Sequence, residues 1–305
     1  MSLSSAPPAD EILSLNTGFN LGSDSLPDAL KFAYSRDLNA SVLVSSEAMD
    51  EPIEVWGVFK ISRDSFSFTP TVGYDMINKP AYDRNKSDED CWLNLRPAVN
   101  LLPHGHDTIL GGTSTWTKYV ANIKSIEKLY KDTKASRQSV LLENWGIKLS
   151  HKFLVDKPAP VATTDSDTEE EGEADRASPA DTIHPQFTLE NWPVPESWDS
   201  ARLSLLDRGY SIRPLEAYIH KKEEPIRPSR YERKLKGAIA HVSFIILAYK
   251  FAQDNRIRFS AVARRITVLI TPTATASRGK GKRKETETEA EDTHKKPKLT
   301  PTNEL

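Results

Sequence analysis

A single cysteine, Cys91, serves the whole chain of 305 residues. One thiol excludes an internal disulfide and leaves no set of thiolates for a structural zinc site, so a reducing compartment fits and Cys91 reads as a small core residue. Long apolar runs are missing as well. The longest, 237–249, is broken by His241 and bounded by Lys236 and Lys250, whereas a membrane-spanning helix needs about 20 residues; no membrane partner is expected. The opening MSLSSAPPADEILSL has no basic stretch followed by an apolar core, so it does not read as a secretory signal, and its acids argue against a mitochondrial one. Hydrophobic residues reach only 38%, which leaves part of the chain without enough apolar surface to fold.

Catalytic and metal motifs are equally scarce. His104-Gly-His106-Asp107 resembles part of the metallo-β-lactamase signature, but Asp107 follows without the intervening residue and Thr108 and Ile109 stand where the rest should be, so the match is rejected in favour of a polar turn. No nucleophile, base and orienting group can be assembled. The expectation is a non-enzymatic protein with no cofactor and no metal. Gly111, Gly112, Thr113 and Ser114 open a strong helical pattern, where free backbone N–H groups and the helix dipole could hold an anion. The Gly-Lys-Thr ending of a nucleotide-binding loop is absent.

What is present is separated charge. Residues 157–199 hold eleven acids against Lys157 and Arg176, while residues 211–284 hold eighteen Lys or Arg against five acids. The near-neutral total of -2 conceals these two blocks.

Organisation follows composition. Residues 1–22 are rich in Ser, Pro and Asn and read as a disordered arm; 23–156 as an α+β domain; 157–185 as an acidic disordered linker; 186–270 as a basic helical or strand unit that packs on the first domain or stands alone; and 271–305 as a disordered basic tail. Within the first domain, Ser25-Leu-Pro-Asp predicts a short helix ending near Arg36. Val42 to Val44, Ile53 to Ile61, Trp92 to Leu95 and Leu141 to Leu154 read as strands. The clearest helix is predicted over 113–133, with Trp116, Ile123 and Ile126 inward and Lys118, Lys124 and Glu127 in solvent. Further short helices are predicted over 201–208 and 214–222. Ser229 to Glu232 has the capping-box pattern and Tyr231, Leu235, Ala238, Val242, Ile245 and Tyr249 follow at four-three spacing, which favours a long helix; the β-branched cluster supports instead a hairpin turning at Asp254-Asn255. The fold class expected is α+β: a mixed small sheet with one long amphipathic helix in the first unit, a helical or hairpin second unit, and a disordered arm, linker and tail.

The tail carries Lys282, Arg283 and Lys284, then Lys295, Lys296 and Lys298, separated by the ten residues 285–294. This spacing resembles the bipartite nuclear localisation signal, which implies a nuclear import receptor as partner and the nucleus as location. In the linker Thr164, Ser166 and Thr168 each have an acid three residues on, and so resemble substrates of acidophilic kinases. A basic segment, Arg227, Arg230, Arg233, Lys234 and Lys236, with Arg256 and Arg258 beyond it, could follow a phosphate backbone. The composite expectation is a nuclear nucleic-acid or chromatin-associated binding protein, modulated by the acidic linker. The competing expectation is a self-assembling scaffold or capsid-like protein in which the long helix associates.

Overall fold

The longest strands lie where the apolar run is densest: Ile239–Phe251 and Arg256–Ile270 pair antiparallel along their whole length across a tight turn. The computed structural model describes residues 7–15, 18–48, 51–106, 109–110, 112–132, 134–143, 146–156 and 184–272. In chain order these form α1 (Ala9–Leu13), β1 (Phe19–Asn20), β2 (Leu30–Ser35), β3 (Ala40–Ser45), β4 (Val55–Phe66), α2 (Asp88–Asn94), β5 (Ala98–Leu102) and α3 (Thr113–Lys128). There follow β6 (Ser136–Gln138), β7 (Leu141–Leu142), β8 (Gly146–Ser150), β9 (Leu154–Asp156), α4 (Asp199–Asp207), β10 (Tyr210–Ile212), β11 (Glu216–Ile219), α5 (Tyr231–Leu235), β12 (Ile239–Phe251) and β13 (Arg256–Ile270).

Five strands close into a ring. β4 pairs with β5 and β5 with β8, both antiparallel; β8 meets β13 in parallel; β13 pairs with β12, and β12 returns to β4, both antiparallel. In order along the chain the ring strands therefore run first, second, third, fifth, fourth and back to first. β1, β2, β3, β6, β7 and β11 extend this to eleven strands, and β9 with β10 makes a separate two-stranded ribbon. Strands from both sides of the acidic segment share the one sheet.

Alternation fills the ring. Val55, Phe59 and Ile61 of β4, Val99 and Leu101 of β5, Ile147 and Leu149 of β8, and Ala240, Val242 and Phe244 of β12 belong to one buried cluster. α3 lays Tyr119, Ile123 and Ile126 against it. The helix comes close enough that a Cβ at Gly57 would lie 2.8 Å from the Phe59 ring and 2.9 Å from the Tyr119 ring, so only glycine admits this approach. Pairing of β4 with β5 begins at Lys60, and the Tyr119 hydroxyl accepts the Val58 N–H at 3.1 Å instead.

The fold class expected from sequence is corrected here, because the described residues are sheet-rich, with a closed five-strand barrel, an eleven-strand sheet and five helices, and form no helical second unit. The long helix from Tyr231 stops at Leu235, since Gly237 takes a positive φ of 85° that an α-helix cannot continue. Ser229 donates to Gln186 at 2.9 Å and caps nothing. The four-three spacing beyond it was satisfied only because every residue from Ile239 to Ala248 is buried; a strand covered on both faces presents the same continuous run. The hairpin with its turn at Asp254-Asn255 is what forms.

Other elements differ for local reasons. The arm expected over 1–22 includes α1 and β1, with Ile12 and Leu21 fully buried. The helix expected from Ser25 is β2, held against β3 through a turn at Asn39 with positive φ. Trp92 lies on α2 and not on a strand: the Ser87 hydroxyl accepts the Asp90 N–H, and Asp88, Glu89 and Asp90 suit the helix N-terminus. Residues 214–222 supply β11 where a helix was expected. Glu127, placed in solvent by helical spacing, is buried and accepts from the Ser139 hydroxyl and the Val140 N–H.

Tyr119→Phe removes the acceptor for the Val58 amide and is expected to lower stability by about 1–3 kcal/mol. Urea unfolding should show a lower midpoint with an unchanged slope.

Candidate nucleic-acid interface and adjoining cavity

β12 sends its even-numbered residues into the ring and its odd-numbered residues outward. The outward row begins with Ile239, which joins Trp56, Val58, Ile12 and Leu269 in a second cluster. His241 follows, its ring 4.9 Å from the Trp56 ring. Burial, with Arg265 adding to it, depresses the imidazole pKa to about 4, so the ring is neutral near pH 7. Ser243 is next, fully buried, and then Ile245 and Leu247 pack with Val42 and Val44 of β3. Tyr249 and Phe251 end the row at the hairpin tip. Among the described residues neither ring nitrogen of His241 nor the Ser243 hydroxyl has a hydrogen-bond partner, so the two are not hydrogen-bonded to each other as a nucleophile and base would be.

The tip carries cations beside these aromatics. The Arg256 guanidinium lies 5.3 Å from the Phe251 ring and 3.0 Å from Asp254. Arg258 is the cross-strand partner of Tyr249. Burial raises the Tyr249 pKa, and the charges of Arg96 and Arg258 pull it back. Arg96 donates to the carbonyls of Leu93 and Leu95. Phe251 is 39% exposed, which leaves its ring available to a stacking partner.

β13 alternates until Ala263. Ile257, Phe259, Ala261 and Ala263 face the core, and the next core residues are Ile266 and Val268. The register shifts where Ser243 pairs with Arg265 and Phe244 with Ala263, so Arg264 is the extra residue of a β-bulge. Both Arg264 and Arg265 are thereby excluded from the core side. They line an open cavity of about 1000 Å³ with Ser243, Glu51, Glu54 and Glu216. Arg265 also stacks over the Tyr218 ring at 4.6 Å. Burial and the nearby Arg213 lower the Arg264 pKa, and Glu54 and Glu216 oppose them.

The expected cations thus fall into two groups. Arg227, Arg230, Arg233, Lys234 and Lys236 surround α5, where Arg230 and Arg233 are exposed, Arg227 and Lys234 are half-buried, and Lys236 pairs with Glu232 at 2.8 Å. Arg256 and Arg258 sit beside the far end of β12, whose 13 residues correspond to about 40 Å of extended strand. Gly112 is the N-cap of α3, the Thr113 hydroxyl donates to the His104 carbonyl at 3.3 Å, and Ser114 lies in the first turn. His104 is fully buried while His106 is exposed, so they do not converge; among the described residues no three His, Cys, Asp or Glu side chains are grouped to hold a metal ion. Gly111, the kinase-type positions Thr164, Ser166 and Thr168, and the import clusters at 282–284 and 295–298 lie outside the described residues.

Sequence reading missed Arg96, Tyr249, Phe251, Ser243, Arg264 and Arg265. A signal existed for the last two: a polar doublet that reverses the parity of an alternating strand marks a bulge. Comparisons with protein-family models, characterised proteins and solved structures find no match.

Because the folded His241 pKa is depressed, its contribution to stability is complete above about pH 6.5 and is lost as pH falls toward about 4. His241→Leu is expected to flatten the melting temperature against pH between those values relative to the unaltered protein. An unchanged slope would contradict a neutral buried imidazole.

Proposed function

We propose that this protein is a nuclear, non-enzymatic binder of single-stranded nucleic acid, with the tip of the β12–β13 hairpin as its contact surface. The observation that carries the reading is Tyr249 and Phe251 set across the hairpin from Arg258 and Arg256, with Arg96 adding its charge at Tyr249. Bases stack on aromatic faces whatever their identity, and guanidiniums beside those faces neutralise the strand's phosphates.

The ring supports this by analogy at the level of fold. Five strands closed in the order first, second, third, fifth, fourth, with the third and fifth parallel, follow the Greek-key order of the oligonucleotide- and oligosaccharide-binding barrel. In that fold the hairpin joining the last two strands borders the nucleic-acid face. One departure is the helix packed on the ring: α3 falls between the second and third ring strands here, and that fold places its helix after the third. The cations around α5 add long-range attraction at the other end of the hairpin. The acidic segment between β9 and α4 competes with nucleic acid for these cations, and the two lysine-rich clusters of the tail direct the protein to the nucleus. The scaffold reading relied on self-association of a helix over 230–252, and those residues form α5 and β12.

Binding to a short oligothymidine should weaken steeply with salt, each phosphate contact adding about 0.7 to the slope of log affinity against log salt. Arg256→Gln with Arg258→Gln should reduce the slope by about 1 to 2, and Phe251→Ala should weaken binding by about 1–3 kcal/mol without changing it. No retention on single strands at low salt would remove the reading. A reporter fused to residues 271–305 should concentrate in nuclei and lose that on alanine replacement of 282–284 and 295–298.

A further inference from the structure

The cavity over the bulge is separate from the hairpin tip. Ser243 and Tyr249 lie six residues apart on β12, about 20 Å of extended strand, with the buried pair Ile245 and Leu247 between them. We infer that this cavity binds a single terminal phosphate carried on a sugar, either a free sugar phosphate or mononucleotide or the phosphorylated end of a strand.

Three observations point to that ligand. The bulge puts two guanidiniums, Arg264 and Arg265, on the cavity side of β13, and among the described residues neither forms an ion pair. Two arginines on one cavity wall match the two charges and several acceptor oxygens of a phosphomonoester. Second, Ser243 is fully buried and lines the cavity, and among the described residues its hydroxyl has no hydrogen-bond partner. Buried hydroxyls are ordinarily paired, so a partner at the cavity floor is called for, and an anionic oxygen between the arginines would accept its proton.

The third observation is the rim. Glu51, Glu54 and Glu216 line the same cavity. Carboxylates accept from hydroxyls but repel further negative charge, so they suit a polyol body and disfavour a polyphosphate or a continuous phosphate backbone. Pro27, Leu30, Pro52 and Ile53 supply apolar wall for the remainder of the ligand. An open volume of about 1000 Å³ accommodates a nucleotide-sized body.

The test uses the full-length protein and titration calorimetry, with amide chemical-shift mapping alongside. Ribose 5-phosphate should bind and ribose should not, with shifts centred on Ser243, Arg264 and Arg265. Arg264→Gln and Arg265→Gln should each weaken binding about tenfold or more. Ser243→Ala should weaken it while leaving the melting temperature equal or higher, because it removes an unpaired buried hydroxyl; a residue with a purely structural role would not separate the two readouts. Comparing a 5′-phosphorylated with a 5′-hydroxyl octathymidine distinguishes the sources: a gain of about tenfold that these substitutions abolish assigns the strand end, and equal affinities with ribose 5-phosphate still bound assign the free metabolite. Absence of ribose 5-phosphate binding, or binding indifferent to all three substitutions, overturns the site. Arg256→Gln with Arg258→Gln should leave this binding unchanged, so the two readings fail separately.

Discussion

β12 is hydrogen-bonded along both edges and covered on both faces, and the other parts of the molecule are arranged to satisfy it. On one edge it meets β4 and then β3, and on the other it runs the length of β13. A strand in the middle of a sheet needs apolar cover on each side, because its exposed side chains would otherwise forfeit the burial that offsets chain entropy. The ring and α3 cover the inner row. α1, residues 109–110 and β3 cover the outer row in two patches, and the interval between the patches holds Ser243 and opens into the cavity.

The bulge at Arg264 follows from the same constraint. β13 must keep its small and β-branched residues against the ring while turning two arginines away from it, and one additional residue changes the parity without breaking the pairing. Ala263 and Ile266 then both remain in the core. The cost is a local loss of ladder hydrogen bonds, and the gain is a pair of guanidiniums held by backbone geometry and not by flexible loops. At the tip the same hairpin runs out of covering strands, so Tyr249 and Phe251 reach the surface next to Arg256 and Arg258.

How much of this could be read from the sequence depended on how many faces each element buries. α3 has one buried stripe and was legible from Trp116 to Ile126, although Glu127 was misplaced because its partners, Ser139 and Val140, come from the later connection between β6 and β7. β13, half-buried near the tip, alternates visibly from Ile257 to Ala263. β12 was ambiguous because residues apolar at every position satisfy a helical and an extended period equally well. β2 and β11 were missed since their conformation is set by pairing with β3 and β13 and not by their own propensity. For the sites, Arg256 and Arg258 were readable as cations, but their neighbours were not: Arg96 comes from 160 positions earlier than Arg256, and only closure of the ring brings it to Tyr249.

Native-state hydrogen exchange over residues 239–251 and 256–270 tests the central constraint most directly. Amides of β12 from Ala240 to Ala248 and their partners in β13 should be the slowest in the protein and should exchange together, at the free energy of global unfolding, because both edges are paired. Protection confined to β13, or exchange of β12 amides as early as those of the turn at 252–255, would show that β12 is not held on both sides, and the barrel with everything it positions would have to be abandoned.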